Sequence, residues 1–361
     1  MVLKKDEISL RQLMIIYVLL IGSPAIRLIP VYASKAAKQA GWLAPIVSLG
    51  VLLVIFLIFQ QFFNSFKKES FLDIVQNIFG KYLGTALNIA YLILITILGA
   101  LYVRYYSERM VTSLFPNTNS FLFSSILLIV IAIVLRSGLA IFARMNEIFM
   151  PIVVVTYLVV NVLIFPEVRI DNLYPITYKD IFPVLRASMG TTTTIGYVTF
   201  LFILSDKVKG KDKVKNLGFH SSYLLTILLS LVIISPVGVF GSDVVAKMNL
   251  PFFAAVKDIS LFGIIERVES SLIAIWTLTD FSIITSFLFV GLHIINWLFK
   301  TPSEKPFINM YVVIIYILSL YIAGNIIEIM NFSNVLVFAI IGLTVIMPII
   351  LFIVGKIRKL I

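Results

Sequence analysis

The chain has 361 residues, 60% hydrophobic and only 13% charged, with a mean hydropathy of +1.06. Soluble domains carry about 25% charged residues, so this composition excludes a soluble globular domain and specifies a membrane protein. The absence of cysteine excludes a disulfide framework and a thiolate metal site. The net charge of +11 fits nucleic acid or a membrane surface as partner, and its distribution along the chain selects the bilayer over nucleic acid.

Lys4 and Lys5, the apolar run after them and Ser23-Pro24-Ala25 have the outline of a secretory signal. Asp6 and Glu7 suit a signal poorly, and apolar character resumes past the small residues, so a membrane helix is expected instead. Ser9 and Gln12 fit a capping box at its start. Taking about 20 apolar residues per crossing, ten spans are predicted: 10–33, 42–63, 82–106, 121–135, 148–165, 181–204, 217–240, 268–299, 307–327 and 335–354. No long polar stretch marks a second domain. Residues 1–361 are therefore expected to form one transmembrane domain with two related halves, about 8–166 and 181–357.

Two connecting segments are helical in pattern but too short to span. Residues 70–80 place Phe71, Leu72, Ile74, Val75, Ile78 and Phe79 on one face behind a Ser70/Asp73 capping pair, the pattern of a helix lying in the membrane interface. Residues 244–263 carry Phe252, Phe253, Val256, Ile259 and Phe262 around Pro251. They form either a lid over a binding site or a passive interfacial helix. Alternating the segments from a cytoplasmic N-terminus puts the greater part of the 29 basic residues inside, so both termini are expected in the cytoplasm. The lysines at 207, 209, 211, 213 and 215 anchor that orientation most firmly.

The most informative local feature is a pair of interruptions. The first span reads Ile21-Gly22-Ser23-Pro24-Ala25-Ile26 and the sixth reads Gly190-Thr191-Thr192-Thr193-Thr194-Ile195-Gly196. An unbroken helix satisfies its own backbone in hydrocarbon, so breaks at membrane depth point to a cavity that uses the freed groups. Gly22 lets backbone approach a ligand, and Pro24 removes one helix hydrogen bond. The freed N–H groups near Pro24, Ala25 and Ile26 would meet a carboxylate, and carbonyls near Leu20 and Ile21 a cation. A simple proline kink and a threonine run packed between helices are the alternatives. Breaks five spans apart predict discontinuous helices 1 and 6 with a site between them, its wall including Thr192, Thr193, Gly196 and Tyr197.

Asp280, near the middle of span eight, is a costly intramembrane carboxylate: with Thr277 a candidate for ion coupling or proton relay, or else a ligand contact or a hydrogen-bonded structural residue. Arg27 would pair with a ligand carboxylate or with Asp280, or would snorkel outward. Tyr102 on span three joins Tyr197 as a pocket aromatic, while Arg144 and Glu147 are expected to form a structural ion pair. His220 and His293 stand alone in the sequence and make no metal site. No G-x-x-x-x-G-K-[ST], H-E-x-x-H or G-x-S-x-G pattern is present, so neither an enzyme nor a cofactor is expected.

Several motifs together carry a resemblance. Ile8-Ser9 with Gln12, Ile21-Gly22-Ser23 and Gly41-Trp42-Leu43-Ala44-Pro45 resemble the start of the spore germination permeases. The stretches 143–151 (Ala143-Arg144-Met145-Asn146-Glu147 to Pro151) and 266–276 (Glu266-Arg267-Val268-Glu269-Ser270 to Trp276) resemble that family's approaches to spans five and eight. These permeases are the membrane-embedded B subunits of nutrient germinant receptors, within the amino acid–polyamine–organocation superfamily. The resemblance implies an all-α, ten-helix, LeuT-type five-plus-five inverted repeat in the inner membrane of a spore-forming bacterium. It also implies an A subunit and a lipoprotein C subunit as partners and a small nutrient, often an amino acid, as ligand. By position the pocket would include Gly22, Ser23, Pro24 and the segment around Gly196 and Tyr197. Members often have Gly-Phe-Glu after the sixth-span break, where this chain has Gly196-Tyr197-Val198, which leaves the ligand's charge class open. An amino acid–proton or amino acid–cation symporter is the alternative function.

Overall fold

The Ser9 hydroxyl accepts from the Gln12 backbone N–H, and the Gln12 side chain returns the bond to the Ser9 backbone, so the expected capping box starts the first helix. The computed structural model describes residues 6–67, 69–258, 268–324 and 326–361. Helix α1 runs over Leu10–Ala37, and a 3-10 turn at Lys38–Leu43 hands the chain to α2 at Ala44–Ser65. Then come the short α3 (Phe71–Phe79), α4 (Lys81–Ser113), α5 (Ser120–Ser137) and α6 (Leu139–Ile164). The sixth crossing is split into α7 (Ile181–Ile195) and α8 (Val198–Phe202). Helix α9 (Val214–Phe240) follows, then the short α10 (Ser242–Val245) and α11 (Pro251–Lys257), and the long α12 (Val268–Phe299). The chain closes with α13 (Ile308–Tyr321), α14 (Ile326–Ile341) and α15 (Met347–Ile357), the last two joined by a wide π turn at Gly342–Ile346.

Among the described residues seven helical stretches are long and apolar enough to cross a membrane, α1 and α2 forming one 56-residue stretch. Ile129, Ile133, Val155, Val162, Phe338 and Ile353 turn outward, more than half exposed, as a lipid-facing surface does. Helix α12 is the opposite case: 83% of its apolar window is buried, and it packs on α1, α4 and α6 at the centre. Two residues on each side, Ile8–Ser9 (β1) and Val208–Lys209 (β2), pair in parallel and tie the start of α1 to the segment after α8.

Four expectations are corrected. First, α1 is continuous through Gly22 and Pro24 and also accommodates Pro30. Each proline removes one donor, which a helix enclosed by α7, α9, α12 and α6 survives. Gly22 serves close packing instead, because a Cβ there would lie 2.6 Å from the Thr279 methyl of α12. Second, α7 stays helical through Gly190 and the threonines and breaks only at Gly196 and Tyr197. Thr193 and Thr194 donate to the carbonyls of Met189 and Gly190 one turn back, which keeps them in the helix. Third, α3 is not an interfacial helix: Phe71, Leu72, Ile74, Val75 and Ile78 are buried in the protein core, and Trp297 of α12 donates to Asp73 at 2.7 Å. Fourth, α6 starts nine residues before the predicted span, at a turn where Gly138 takes φ +100°. Of the lid residues, Phe252, Phe253 and Val256 are buried, Phe252 stacking on Tyr157 at 5.5 Å; Ile259 and Phe262 lie outside the described residues.

Candidate functional site

A cavity of about 390 Å³ opens between α1, α4, α7 and α14. Helical periodicity supplies each wall. Arg27, Val31 and Lys35 are spaced four apart on α1; Leu98, Leu101, Tyr102 and Tyr105 share a face of α4. Arg186, Gly190, Thr193 and Thr194 share a face of α7, continued by Tyr197 in the break, and Ser333 and Asn334 come from α14. Gly190 is needed for the shape of this wall, since a Cβ would meet the Tyr32 ring at 2.4 Å.

Arg27 is 7% exposed and lines this cavity. Its guanidinium carbon sits 3.2 Å from the centre of the Tyr105 ring and 5.5 Å from that of Tyr102. Stacking engages the face of the guanidinium, while Nε and Nη2 have no hydrogen-bond partner. Around it the tyrosines are fixed: Tyr105 Oη is 2.7 Å from Ser333 Oγ, and the hydroxyls of Tyr102 and Tyr197 are 3.3 Å apart. Farther out Lys35 and Arg186 are exposed at the rim.

Asp280 is fully buried on α12 and does not meet Arg27. Arg109 of α4 takes that place, with Nη1 2.5 Å from Asp280 Oδ2. Ser23 donates its hydroxyl to Asp280 Oδ1 and accepts from the Trp276 indole at 3.2 Å, while Arg109 also lies 4.4 Å from the Trp276 ring centre. The pair is thus closed by charge, hydrogen bond and aromatic face, and with Ser23 and Trp276 it forms a network of four residues from α1, α4 and α12. Thr277 is not part of it; its hydroxyl bonds the Ile273 carbonyl of its own helix.

The residues expected to share one pocket are divided. Arg27, Tyr102, Thr193 and Tyr197 line the large cavity. Gly22 and Ala25 line a separate apolar cavity of about 50 Å³ with Thr279 and Tyr157, while Ser23 belongs to the Asp280 network. Pro24, Thr192 and Gly196 line neither cavity. Thr192 donates to Ser48 of α2 at 3.1 Å, and Gly196 packs against Thr344 in the π turn. The expected ion pair of Arg144 and Glu147 does not form: both are exposed, and Glu147 accepts from Gln12 at 3.2 Å.

The break at Gly196–Tyr197 and the π turn at Gly342–Ile346 face each other, a juxtaposition the sequence does not signal. Carbonyls freed in both are accounted for. Tyr17 donates to the Ile195 carbonyl at 2.8 Å, Thr199 to that of Thr344 at 2.7 Å and Tyr91 to that of Leu343 at 2.6 Å.

At the end of the bundle where α1 begins, a polar clasp closes the chain. Lys209 lies 2.5 Å from Glu7 beside the β1–β2 pair, Lys207 pairs with Glu304, and His293 lies 3.1 Å from both Asp206 and Glu304. His293 is therefore not isolated, although among the described residues no group of three or more potential ligands forms a metal site. Burial works against ionisation of Asp206 and Glu304. Hydrogen bonds from His293 and the Lys207 charge outweigh it and hold both carboxyls below their ordinary values.

Two solved transporters share this fold. MhsT in complex with L-phenylalanine superposes with a TM-score of 0.65 at 13% identity, over 98% of this chain and 90% of that one. A Na+-coupled sialic acid symporter, in a substrate-bound outward-open state, gives 0.63 at 11% identity over 94% and 79%. The architecture is the LeuT-type fold of a multi-pass membrane protein. Among curated proteins, spore germination protein YndE of Bacillus subtilis (strain 168) is 28% identical over 284 residues, 77% of each chain. Spore germination protein GerQB of Bacillus cereus is 22% identical over 247 residues, 68% of this chain and 67% of that one. The family described as spore germination protein matches residues 7–327, and with a transporter-type fold built around a charged central cavity the chain belongs to the spore germination permease family.

Proposed function

We propose that this protein is the membrane-embedded, ligand-binding subunit of a nutrient germinant receptor, taking a small carboxylate-bearing nutrient, with amino acids the first class to test, into the cavity between α1, α4, α7 and α14. The observation that carries the reading is the cavity of about 390 Å³ with Arg27 buried in its wall, in a family of germination proteins. Its size falls in the range of small-molecule sites, and most of its surface is apolar, with polar side chains contributed from all four helices. In this reading both termini face the cytoplasm, the cavity opens to the opposite side of the spore inner membrane, and the two related halves are about 8–166 and 181–357. Ligand shifts the balance between conformations of a carrier-like fold, and partner A and lipoprotein C subunits receive the change.

The kinship of the fold with transporters, one of them Na+-coupled, favours a second reading as an amino acid–proton or amino acid–cation symporter. Against free titration of Asp280 stands its closure by Arg109 and Ser23. Thermal-shift titration of the purified chain tests binding, and uptake of the same radiolabelled compound into proteoliposomes tests turnover. Stabilisation without uptake supports the receptor; uptake driven by a proton or sodium gradient supports the symporter. Filling the cavity with Thr193→Trp removes the shift in either case, and an undiminished shift in that folded variant places the ligand elsewhere.

A further inference from the structure

The charge of the cavity is one-sided. Among the described residues its lining holds three cationic side chains, Arg27, Lys35 and Arg186, and no carboxylate. Arg27 is buried with two nitrogens lacking hydrogen-bond partners, and a guanidinium in that state has a large unmet demand for an anion. Lys35 and Arg186 lie exposed at the rim, so the positive field continues from the solvent to the buried charge.

The nearest buried acid is not available. Asp280 lies outside the lining, is fully buried, and is held by Arg109 and Ser23. Neither does the helix break supply a cation site, because the Ile195 carbonyl accepts from Tyr17 and those of Thr192 and Thr194 accept from the N–H groups of Gly196 and Tyr197. An ammonium inside this cavity finds only neutral oxygens, from its tyrosines, threonines, Ser333 and Asn334, against three positive charges.

We infer that the cavity selects organic carboxylate anions by their carboxylate alone, with Arg27 as the recognition residue and Lys35 and Arg186 as the electrostatic approach, so that a ligand's ammonium group is unrecognised. This rests on the cavity being the ligand site. A bidentate or single charge-assisted bond from Arg27 holds the carboxylate, and the leucines, valines and tyrosines around it receive an apolar body.

The test measures binding to the full chain in lipid nanodiscs across two matched series. One comprises 3-phenylpropionate, phenylalanine and 2-phenylethylamine, the other propionate, alanine and ethylamine. The expected order in the series that binds is deaminated acid at least equal to zwitterion, with the amine about a hundredfold weaker or silent. Arg27→Gln weakens the acid by about tenfold or more, and Arg27→Lys restores part of the loss. Should the Arg27 variants fail to fold, Lys35→Gln with Arg186→Gln at the exposed rim slows association and flattens its salt dependence. Zwitterions binding more than about tenfold tighter than their deaminated partners, or rim variants with unaltered association, overturn the inference. Binding of an amine or a neutral sugar, lost in Thr193→Trp, would keep the cavity as ligand site and overturn its charge selection. Silence of all six compounds in a folded protein would overturn the inference and count against the cavity as well.

Discussion

Arg109 and Asp280 show how far a single charge can be read from sequence. A lone carboxylate in the middle of an apolar span is conspicuous, and Asp280 is central in the structure. Its partner was hidden by a boundary. The expected third span ends at 106, because Arg104, Glu108 and Arg109 dilute the apolar run, whereas α4 continues to Ser113 and carries Arg109 into the core. Hydropathy cannot distinguish a charge that ends a helix from one that is paired inside it. Breaking the pair leaves an uncompensated buried charge, so Asp280→Asn is expected to lower stability by about 3–5 kcal/mol. The double variant Asp280→Asn with Arg109→Gln should recover part of that loss. Thermal unfolding of the detergent-purified proteins checks both, and additive losses in the double variant would deny the coupling.

At the scale of the helix, small residues signalled contact more than interruption. Gly22 looked like an opening in α1, yet it is the point where the Thr279 methyl of α12 approaches. Gly22→Ala is therefore expected to destabilise by about 1–3 kcal/mol through overpacking, and Thr279→Ser, which removes that methyl, should restore most of the stability. A melting temperature unmoved by Gly22→Ala would refute the contact. The sixth crossing was legible as broken, but the threonines misplaced the break. Gly196→Ala would put a Cβ 2.6 Å from Thr344 Oγ1 and 3.0 Å from the Thr192 carbonyl. It is expected to cost more than Gly22→Ala, because one of its obstacles is backbone, and the same unfolding measurement checks the order. The π turn that faces this break had no readable signature, since Gly342 and Thr344 are scattered small residues in an otherwise apolar run.

For the molecule as a whole, the transporter-type fold and family were legible because the helical spans are long and strongly patterned and because the family motifs lie near the N-terminus and at the approaches to spans five and eight. The candidate site was legible only in part: Arg27, Tyr102, Thr193 and Tyr197 converge on one cavity, but Lys35, Arg186 and Ser333 meet them through packing between distant helices. The clasp at the other end illustrates the same gap, joining Glu7 to Lys209, Lys207 to Glu304 and Asp206 to His293, each across more than 80 positions. Because Asp206 and Glu304 are held below their ordinary carboxyl values, their contribution is complete above the ordinary carboxylate range and falls away as pH drops through the depressed values. Between about pH 6 and pH 5 the melting temperature should hold, and below that it should decline. Asp206→Asn with Glu304→Gln should flatten that decline, and an unchanged acid limb would remove the clasp as its origin.

These two ends also divide the kinetics between them. At the rim beside Lys35 and Arg186 neither cation has an ion-pair partner among the described residues, so passage there is governed by side-chain motion and by the field. At the other end a strand pair and several charged contacts must separate together, which makes opening a concerted and infrequent event. Under the proposed function, residence time of a bound ligand is then a property of the rim, and the tempo of the downstream response is a property of the clasp.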